Sequence, residues 1–206
     1  SILETSRNQR QKALQLAEKA AGNDPDSAIA RSALAYAKQA NFDLDGALEA
    51  QMQAVDLAPE NALHQARLAD LLLAFGYLDR AVFAAKRAAA LNPDLSRVQT
   101  VLGFAYLTKM DVAKASEAFD KAMQLDQGDP LPRLGSGLAK IRRGDVEQGR
   151  ADIETAAILD PYDSLLRSYL GKAFYEEKRD ELAEKQFDAA KKLDPNDPTP
   201  WLYGAL

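Results

Sequence analysis

Apolar residues and turn motifs recur along this chain with a period of 34 residues. The turn motifs include LAPENA at 57–62, LDPYDS at 159–164 and LDPNDP at 193–198. Three places in each period hold only Ala or Gly, namely Ala35, Ala69, Gly103, Gly137 and Gly171; Ala13, Ala47, Ala81, Ala115, Gly149 and Ala183; and Ala20, Ala54, Ala88, Ala122, Ala156 and Ala190. Side chains this small let helix backbones approach closely, and the larger apolar residues between them follow helical spacing. The pattern predicts helices that pack in pairs along the whole chain.

The period divides the chain into five full repeats with a partial repeat at each end. The full repeats cover 28–61, 62–95, 96–129, 130–163 and 164–197, and the partial ones cover 1–27 and 198–206. Turns also recur inside the repeats, where Gly76 and Gly144 are suited to ending a helix. We expect a single repeat domain over 1–206, and the serine at position 1 suggests a piece of a longer protein.

A few positions depart from the apolar pattern of the repeats. Lys38, Gln51, Ser136 and Lys140 are polar at places that are usually apolar. The repeat at 130–163 also contains several glycines, and a glycine inside a helix costs about 1 kcal/mol relative to alanine. We predict that this repeat is the least stable.

The periodic residues resemble the tetratricopeptide repeat across essentially the whole chain. The repeat at 164–197 fits the family pattern best, through Leu170, Gly171, Phe174, Ala183, Phe187, Ala190 and Pro195. Trp201 falls at the family's tryptophan position, as the opening of a further repeat. The resemblance implies an all-α fold, a right-handed superhelical solenoid of antiparallel helix pairs whose concave surface is lined by the first helix of each repeat.

Composition agrees with a helical globular protein and narrows the partner classes. Hydrophobic residues make up 47% of the chain, charged residues 28%, and Gly and Pro are few. The net charge is -5 and the two signs are interspersed, which disfavours nucleic acid as a partner. No apolar stretch is long enough to insert into a membrane. The absence of cysteine leaves the redox compartment open.

No motif typical of an active site occurs. The chain has one histidine, His64, which we expect to be an ordinary, partly exposed residue, and it lacks zinc-protease and phosphate-loop motifs. The Gly-Ser-Gly sequence at 135–137 lies inside a predicted helix, where close packing explains Gly137 better than phosphate binding does. Asp43 and Asp45 are expected in a solvated turn that caps a helix, not in a calcium site. We therefore expect no enzyme activity, cofactor or metal site in this segment.

In the tetratricopeptide repeat family, ligands lie against one face of the first helices, so the resemblance implies a peptide-binding groove. The candidate groove residues are Ser32, Tyr36, Asp70, Arg97, Thr100, Phe104, Leu138 and Lys172. Tyr36 and Phe104 are interpreted either as exposed anchors or as core residues. One subfamily holds a terminal carboxylate with a fixed set of Lys, Asn and Arg residues. Here only Arg97 has matching chemistry, so we expect no clamp of that type.

The resemblance implies a non-enzymatic interaction module that binds a peptide or partner protein in its groove and acts as a scaffold for complex assembly. The alternative is a structural solenoid that forms homo-oligomers. Alanine-rich repeats of this kind are also found in long bacterial envelope proteins. We therefore expect a bacterial protein and favour a periplasmic or cell-envelope location over a cytoplasmic one.

Overall fold

The computed structural model describes residues 2–205, and describes side chains over residues 9–205. Within that range the chain forms helices and no strand, so the expected all-α fold is confirmed. The helices are α1 Ile2–Asn23, α2 Ala28–Ala40, α3 Leu44–Leu57, α4 Ala62–Ala74, α5 Leu78–Leu91, α6 Ser96–Thr108, α7 Val112–Leu125, α8 Pro130–Arg142, α9 Val146–Leu159, α10 Ser164–Glu176, α11 Asp180–Leu193 and α12 Thr199–Tyr203. The helix starts repeat at the spacing that the sequence pattern predicts.

The helices alternate between two fixed lengths. The even-numbered helices from α2 to α10, here called the first helices, each span 13 residues. The odd-numbered helices from α3 to α11, the second helices, each span 14 residues. Side chains before several helices satisfy backbone N–H groups at the first turn. Asp43 accepts a hydrogen bond from the Gly46 N–H, which confirms its predicted capping role.

The turn inside each repeat contains one residue in the left-handed backbone region. These residues have φ between 61° and 95° and recur at the same place in every repeat, as Phe42, Gly76, Met110, Gly144 and Lys178. Glycine adopts this conformation without steric cost, whereas other residues are strained there. The predicted helix-ending roles of Gly76 and Gly144 are confirmed, and three repeats complete the same turn with a less suitable residue.

The chain divides into two compact units, Ser1–Ala105 and Tyr106–Leu206, which we call the N-terminal half and the C-terminal half. In the N-terminal half, α2 packs on α3 and α4 packs on α5, while α1–α2 and α3–α4 contacts join successive pairs. The largest apolar cluster of this half lies between α4, α5 and the start of α6. Its buried members include Ala66, Ala69, Leu72, Ala81, Ala85, Ala88, Val98 and Val101.

In the C-terminal half, α8 packs on α9 and α10 packs on α11, and glycines set the closest approaches. A Cβ atom added to Gly137 would lie 2.6 Å from the Gly149 carbonyl oxygen, and one added to Gly149 would lie 2.6 Å from the Gly137 carbonyl oxygen. The two backbones therefore touch. This confirms that Gly137 is a close-packing residue inside a helix.

Polar side chains at two usually apolar positions are paired in this same α8–α9 contact. The Ser136 hydroxyl donates to Asp152 Oδ2 over 2.9 Å, and Lys140 Nζ contacts the same oxygen at 2.6 Å. The departures from the repeat pattern on α8 therefore share one partner on α9. The lower stability of this repeat stays a prediction, as does the division of the chain into repeats.

Candidate functional site

The first helices of the N-terminal half share a face with large apolar and charged side chains. Ile29 and Tyr36 lie seven residues apart on α2, as do Leu63 and Asp70 on α4, so each pair is almost two helical turns apart on one side. Ile29, Tyr36 and Leu63 are exposed, with Tyr36 at 52%. We call the surface formed by Ile29, Tyr36, Leu63, Arg67 and Asp70 the first-helix face.

Arg67 lies against Tyr36 on this face. Its guanidinium carbon is 3.9 Å from the centroid of the Tyr36 ring, and Nη2 donates a hydrogen bond to Gln39 Oε1. Arg67 is only 6% exposed, and burial lowers the pKa of its guanidinium. A cation stacked on an aromatic ring is stabilised by about 2 kcal/mol when it is desolvated. The contact ties α2 to α4 through an aromatic ring that is itself half exposed.

An ion pair joins the next two first helices. Arg97 Nη2 on α6 contacts Asp70 Oδ2 on α4, and both side chains are partly exposed. Burial raises the pKa of the Asp70 carboxyl, while the positive charges of Arg97 and Arg67 oppose that rise. The cluster therefore contains two guanidinium groups and one carboxylate.

Two of the predicted groove residues lie below this face. Ser32 is buried and its hydroxyl donates to Gln51 Oε1 over 3.0 Å. Thr100 is buried and its hydroxyl donates to the Ser96 carbonyl over 2.9 Å. Both hydroxyls serve internal hydrogen bonds, and a contact of either residue with a ligand stays a prediction. Phe104 is half-buried, so it is neither a fully exposed anchor nor a fully buried core residue, the two interpretations that its sequence position left open.

His64 is buried, at 7% exposure, so the expectation of a partly exposed histidine is wrong. The reason is its place between helices: the Gln51 amide of α3 donates to the His64 carbonyl over 2.9 Å. Burial lowers the pKa of the imidazole below its usual value of 6.5. Nε2 is buried and has no hydrogen-bond partner.

The two remaining predicted residues, Leu138 and Lys172, lie in the C-terminal half and are both half-buried. Lys172 Nζ donates to Glu176 Oε1 over 2.9 Å and lies 5.6 Å from the Tyr203 ring centroid. Tyr203 belongs to the short helix α12, and its ring also packs against Tyr169 at a centroid distance of 6.0 Å. Burial and the neighbouring Tyr203 raise the pKa of Tyr169 to about 12. A side chain of α12 therefore contacts the predicted lysine.

Over the part of the chain that the structure describes, no group of His, Asp and Glu side chains is arranged to bind a metal ion. Within the same residues, no helix combines the length and hydropathy needed to cross a membrane.

Comparison with known proteins identifies the repeat. Residues 134–198 match the family model described as tetratricopeptide repeat. This match identifies the tetratricopeptide repeat (TPR) in that segment of the chain. Proteins of the TPR family generally mediate protein–protein interactions and scaffolding and are generally not enzymes. No curated protein matches the sequence at a significant level.

Several solved structures share the TPR fold with this chain. A thermophilic TPR protein of Thermus thermophilus is 20% identical with a TM-score of 0.79, over 87% of this chain and 97% of that one. Pseudomonas aeruginosa pilF is 21% identical with a TM-score of 0.64, over 99% of this chain and 93% of that one. YrrB, a TPR protein, is 16% identical with a TM-score of 0.56, over 94% of this chain and all of that one, 100%. At these identities the similarity establishes the fold.

The TPR sequence pattern did not indicate which polar residues are buried together. Ser32, Gln51 and the His64 backbone form one hydrogen-bonded chain across α2, α3 and α4. The available signal was Gln51 itself, a polar residue at a position that is apolar in most repeats. A buried amide needs hydrogen-bond partners, so polar groups on the adjacent helices were the candidates for that role.

Proposed function

We propose that this TPR chain is a non-enzymatic interaction module that binds a peptide segment of a partner protein on the first-helix face of its N-terminal half. The observation that carries the proposal is the exposure of Tyr36, an aromatic side chain at 52%, beside the exposed apolar residues Ile29 and Leu63. Exposed aromatic and aliphatic side chains in one patch are typical of protein-binding surfaces.

The structure of the patch suits a peptide with bulky anchors. Tyr36 is held by Arg67 from α4, so its ring is partly ordered before a ligand arrives. Ordering a side chain in advance reduces the entropy lost on binding. Tyrosine also offers both a flat apolar surface and a hydroxyl, which explains its frequency at interfaces.

Family and structural similarity support the same class of function. Members of the TPR family bind protein or peptide partners. YrrB, which has the same fold, is described as having an unusual peptide-binding site. For the present chain, peptide binding on the first helices and a scaffold role in complex assembly follow as a proposal from that similarity and from the exposed patch.

The test is selection from a displayed library of short random peptides on the full chain. We expect wild-type protein to select a recognisable set of sequences, and Tyr36→Ala to lose most of their binding. Phe83→Ala is the matched control, because Phe83 is an equally large aromatic residue that is exposed on the second helix α5. Far-ultraviolet circular dichroism and thermal melting establish that both variants remain folded.

The outcome separates binding from the alternatives. Equal loss with Tyr36→Ala and Phe83→Ala would mean that the first-helix face is not the binding site. A loss of folding in Tyr36→Ala would mark Tyr36 as a structural residue. Self-assembly, the competing interpretation, predicts instead that the chain selects no peptide and sedimentation velocity shows a concentration-dependent oligomer.

A further inference from the structure

We infer that Arg67 is a receptor for a carboxylate and that the peptide bound by the first-helix face carries an acidic side chain at the position facing Tyr36. This inference rests on the proposed function and adds the chemical class of the ligand. It starts from the contacts of Arg67, which is 6% exposed and uses Nη2 to donate to Gln39.

The charge of Arg67 is not matched by a carboxylate of its own. Arg67 forms no ion pair with the residues that the structure describes, and its Nε is buried without a hydrogen-bond partner. The nearest acidic group on the same helix, Asp70, is already held by Arg97. A guanidinium presents five N–H donors in a planar fork that fits a carboxylate through two parallel bonds. The described residues therefore supply no carboxylate that forms an ion pair with the Arg67 guanidinium.

Arg150 in the C-terminal half is also largely buried, but its charge is paired with carboxylates. Its side chain is 14% exposed, and it pairs with two carboxylates, Glu154 at 2.7 Å and Glu177 at 2.8 Å. Buried charges are ordinarily paired in this way because an unpaired charge in a low-dielectric site is costly. Arg67, although more buried, has a neutral amide and an aromatic ring in place of carboxylates.

A second polar group without a partner lies one turn away on the same helix. His64 precedes Arg67 by three residues on α4, so the two side chains share a side of the helix. The His64 side chain is buried and its Nε2 has no hydrogen-bond partner. Buried polar groups in folded proteins are almost always hydrogen-bonded. Two unsatisfied groups one turn apart point to a polar ligand group that enters between α2 and α4.

Access to Arg67 depends on Tyr36. The ring stacks on the guanidinium and is half exposed, so it separates Arg67 from solvent on that side. The N–H donors of a guanidinium point outward in its own plane, so a carboxylate approaches the edge of the group while the ring stays stacked on its face. A carboxylate carried on a flexible stem can reach that edge past the ring. A chain-terminal carboxylate is attached directly to the backbone and is less able to reach a recessed guanidinium, so we assign the ligand as an Asp or Glu side chain.

The experiment repeats the peptide selection on wild type, Arg67→Met and the control Arg87→Met. Arg87 is an exposed arginine on the second helix α5, so its replacement changes the net charge equally and leaves the first-helix face intact. We expect peptides selected by wild type and by Arg87→Met to be enriched in Asp or Glu at one position relative to the starting library. That enrichment should disappear on Arg67→Met.

A double-mutant cycle then measures the contact. In the peptide that binds wild type best, Glu→Gln should weaken binding by about 10- to 100-fold, the range for a hydrogen bond to a charged group. The same peptide change should have almost no effect on Arg67→Met. If Arg67→Met fails to fold, nitrogen-15 NMR of wild type gives the answer: the Arg67 Nε–H resonance should shift with the Glu peptide and not with its Gln counterpart at equal saturation.

The outcomes distinguish the two proposals. Peptides that require Tyr36 but show no acidic enrichment, or an equal Glu→Gln loss on wild type and Arg67→Met, would overturn the carboxylate assignment and leave peptide binding intact. Enrichment of the peptide's own C-terminal carboxylate, detected by amidating it, would overturn the assignment to a side chain. Selection of no Tyr36-dependent peptide would overturn both.

Discussion

In the N-terminal half, α3 contacts its neighbours through buried polar side chains. In the C-terminal half, α8 and α9 contact each other directly through their backbones. Gln51 on α3 is completely buried and bonds to Ser32 on α2 and to the His64 backbone on α4. In the α8–α9 contact, Ile153 occupies the place of Gln51, and Gly137 brings its backbone against Gly149. The repeat therefore requires small residues at fixed places, while a polar network or a direct backbone contact fills the space between them.

The substitution with the largest expected effect disrupts the backbone contact between α8 and α9 in the C-terminal half. In Gly137→Val, the new side chain would begin 2.6 Å from the Gly149 carbonyl oxygen, so α8 and α9 must separate. Overpacking of this kind costs about 3 kcal/mol at the upper end of its usual range. We expect a loss of unfolding free energy of that size, measured by urea denaturation followed by circular dichroism.

Gly22→Val is the control for this prediction, because no atom lies within 4 Å of a Cβ added at Gly22. The control should change stability by less than about 0.5 kcal/mol, as surface substitutions usually do. Similar losses in the two variants would mean that valine disfavours the helix at either glycine and that the close approach of α8 to α9 is not what Gly137 provides.

The second prediction breaks the polar network of the N-terminal half. Gln51→Met keeps a similar volume but removes the amide, so the buried Ser32 hydroxyl loses its acceptor. Leaving a buried polar group unsatisfied costs about 1 to 3 kcal/mol. We expect a loss of about 2 kcal/mol in urea denaturation, smaller than that of Gly137→Val.

Adding Ser32→Ala tests the cause of this loss. Removing both partners of a buried hydrogen bond is nearly neutral, so the double variant should recover about half of the stability that Gln51→Met loses. Additive losses in the double variant would show that the two side chains act independently, and the polar network would then have no energetic basis.

The comparison also shows how far the sequence alone leads. Helix positions and lengths follow from the 34-residue period, because small residues at three fixed places dictate where helices can meet. The register also assigns Tyr36 and Asp70 to equivalent places on successive first helices. Which polar side chains are buried did not follow, since that depends on contacts between residues 13 and 19 positions apart, such as Gln51 with His64 and Ser32.

The charges of the first-helix face were likewise only partly predictable. Asp70 and Arg97 were both predicted as groove residues, but their pairing depends on how α4 and α6 are placed. The same holds for the stacking of Arg67 on Tyr36, which decides that Tyr36 is ordered rather than free. Periodicity identifies the face of a helix, and tertiary packing determines which partners meet there.

A third, smaller effect is a pH dependence of stability in the N-terminal half, because His64 borders its polar network. Burial lowers its pKa in the folded state below 6.5, so the folded protein favours the neutral imidazole. The stability contributed by neutral His64 is therefore complete above pH 6.5 and is lost as the pH falls through the lowered folded-state pKa. We expect wild type to lose more stability than His64→Gln between about pH 7 and that pKa.

Proton NMR measures the pKa of His64 in the folded protein directly. His64 is the only histidine, so its ring protons titrate without overlap. A midpoint below that of a histidine in an unfolded peptide is expected. A midpoint at or above that reference, or equal pH dependence of wild type and His64→Gln, would contradict the buried, neutral imidazole.

The smallest expected effect concerns the turns that both halves share. Lys178 has a φ of 61° at the place where Gly144 stands one repeat earlier. A left-handed conformation costs a non-glycine residue about 1 to 2 kcal/mol, while glycine gives up about 0.5 to 1 kcal/mol in chain entropy on folding. Lys178→Gly should therefore stabilise the protein by about 0.5 kcal/mol, and Gly144→Ala should destabilise it by a similar amount. Thermal melting of the two variants against wild type checks both signs. If Lys178→Gly lowers the melting temperature, the contacts of the lysine side chain, such as the stacking of Nζ at 5.9 Å from the Tyr175 ring centroid, outweigh the strain of its backbone.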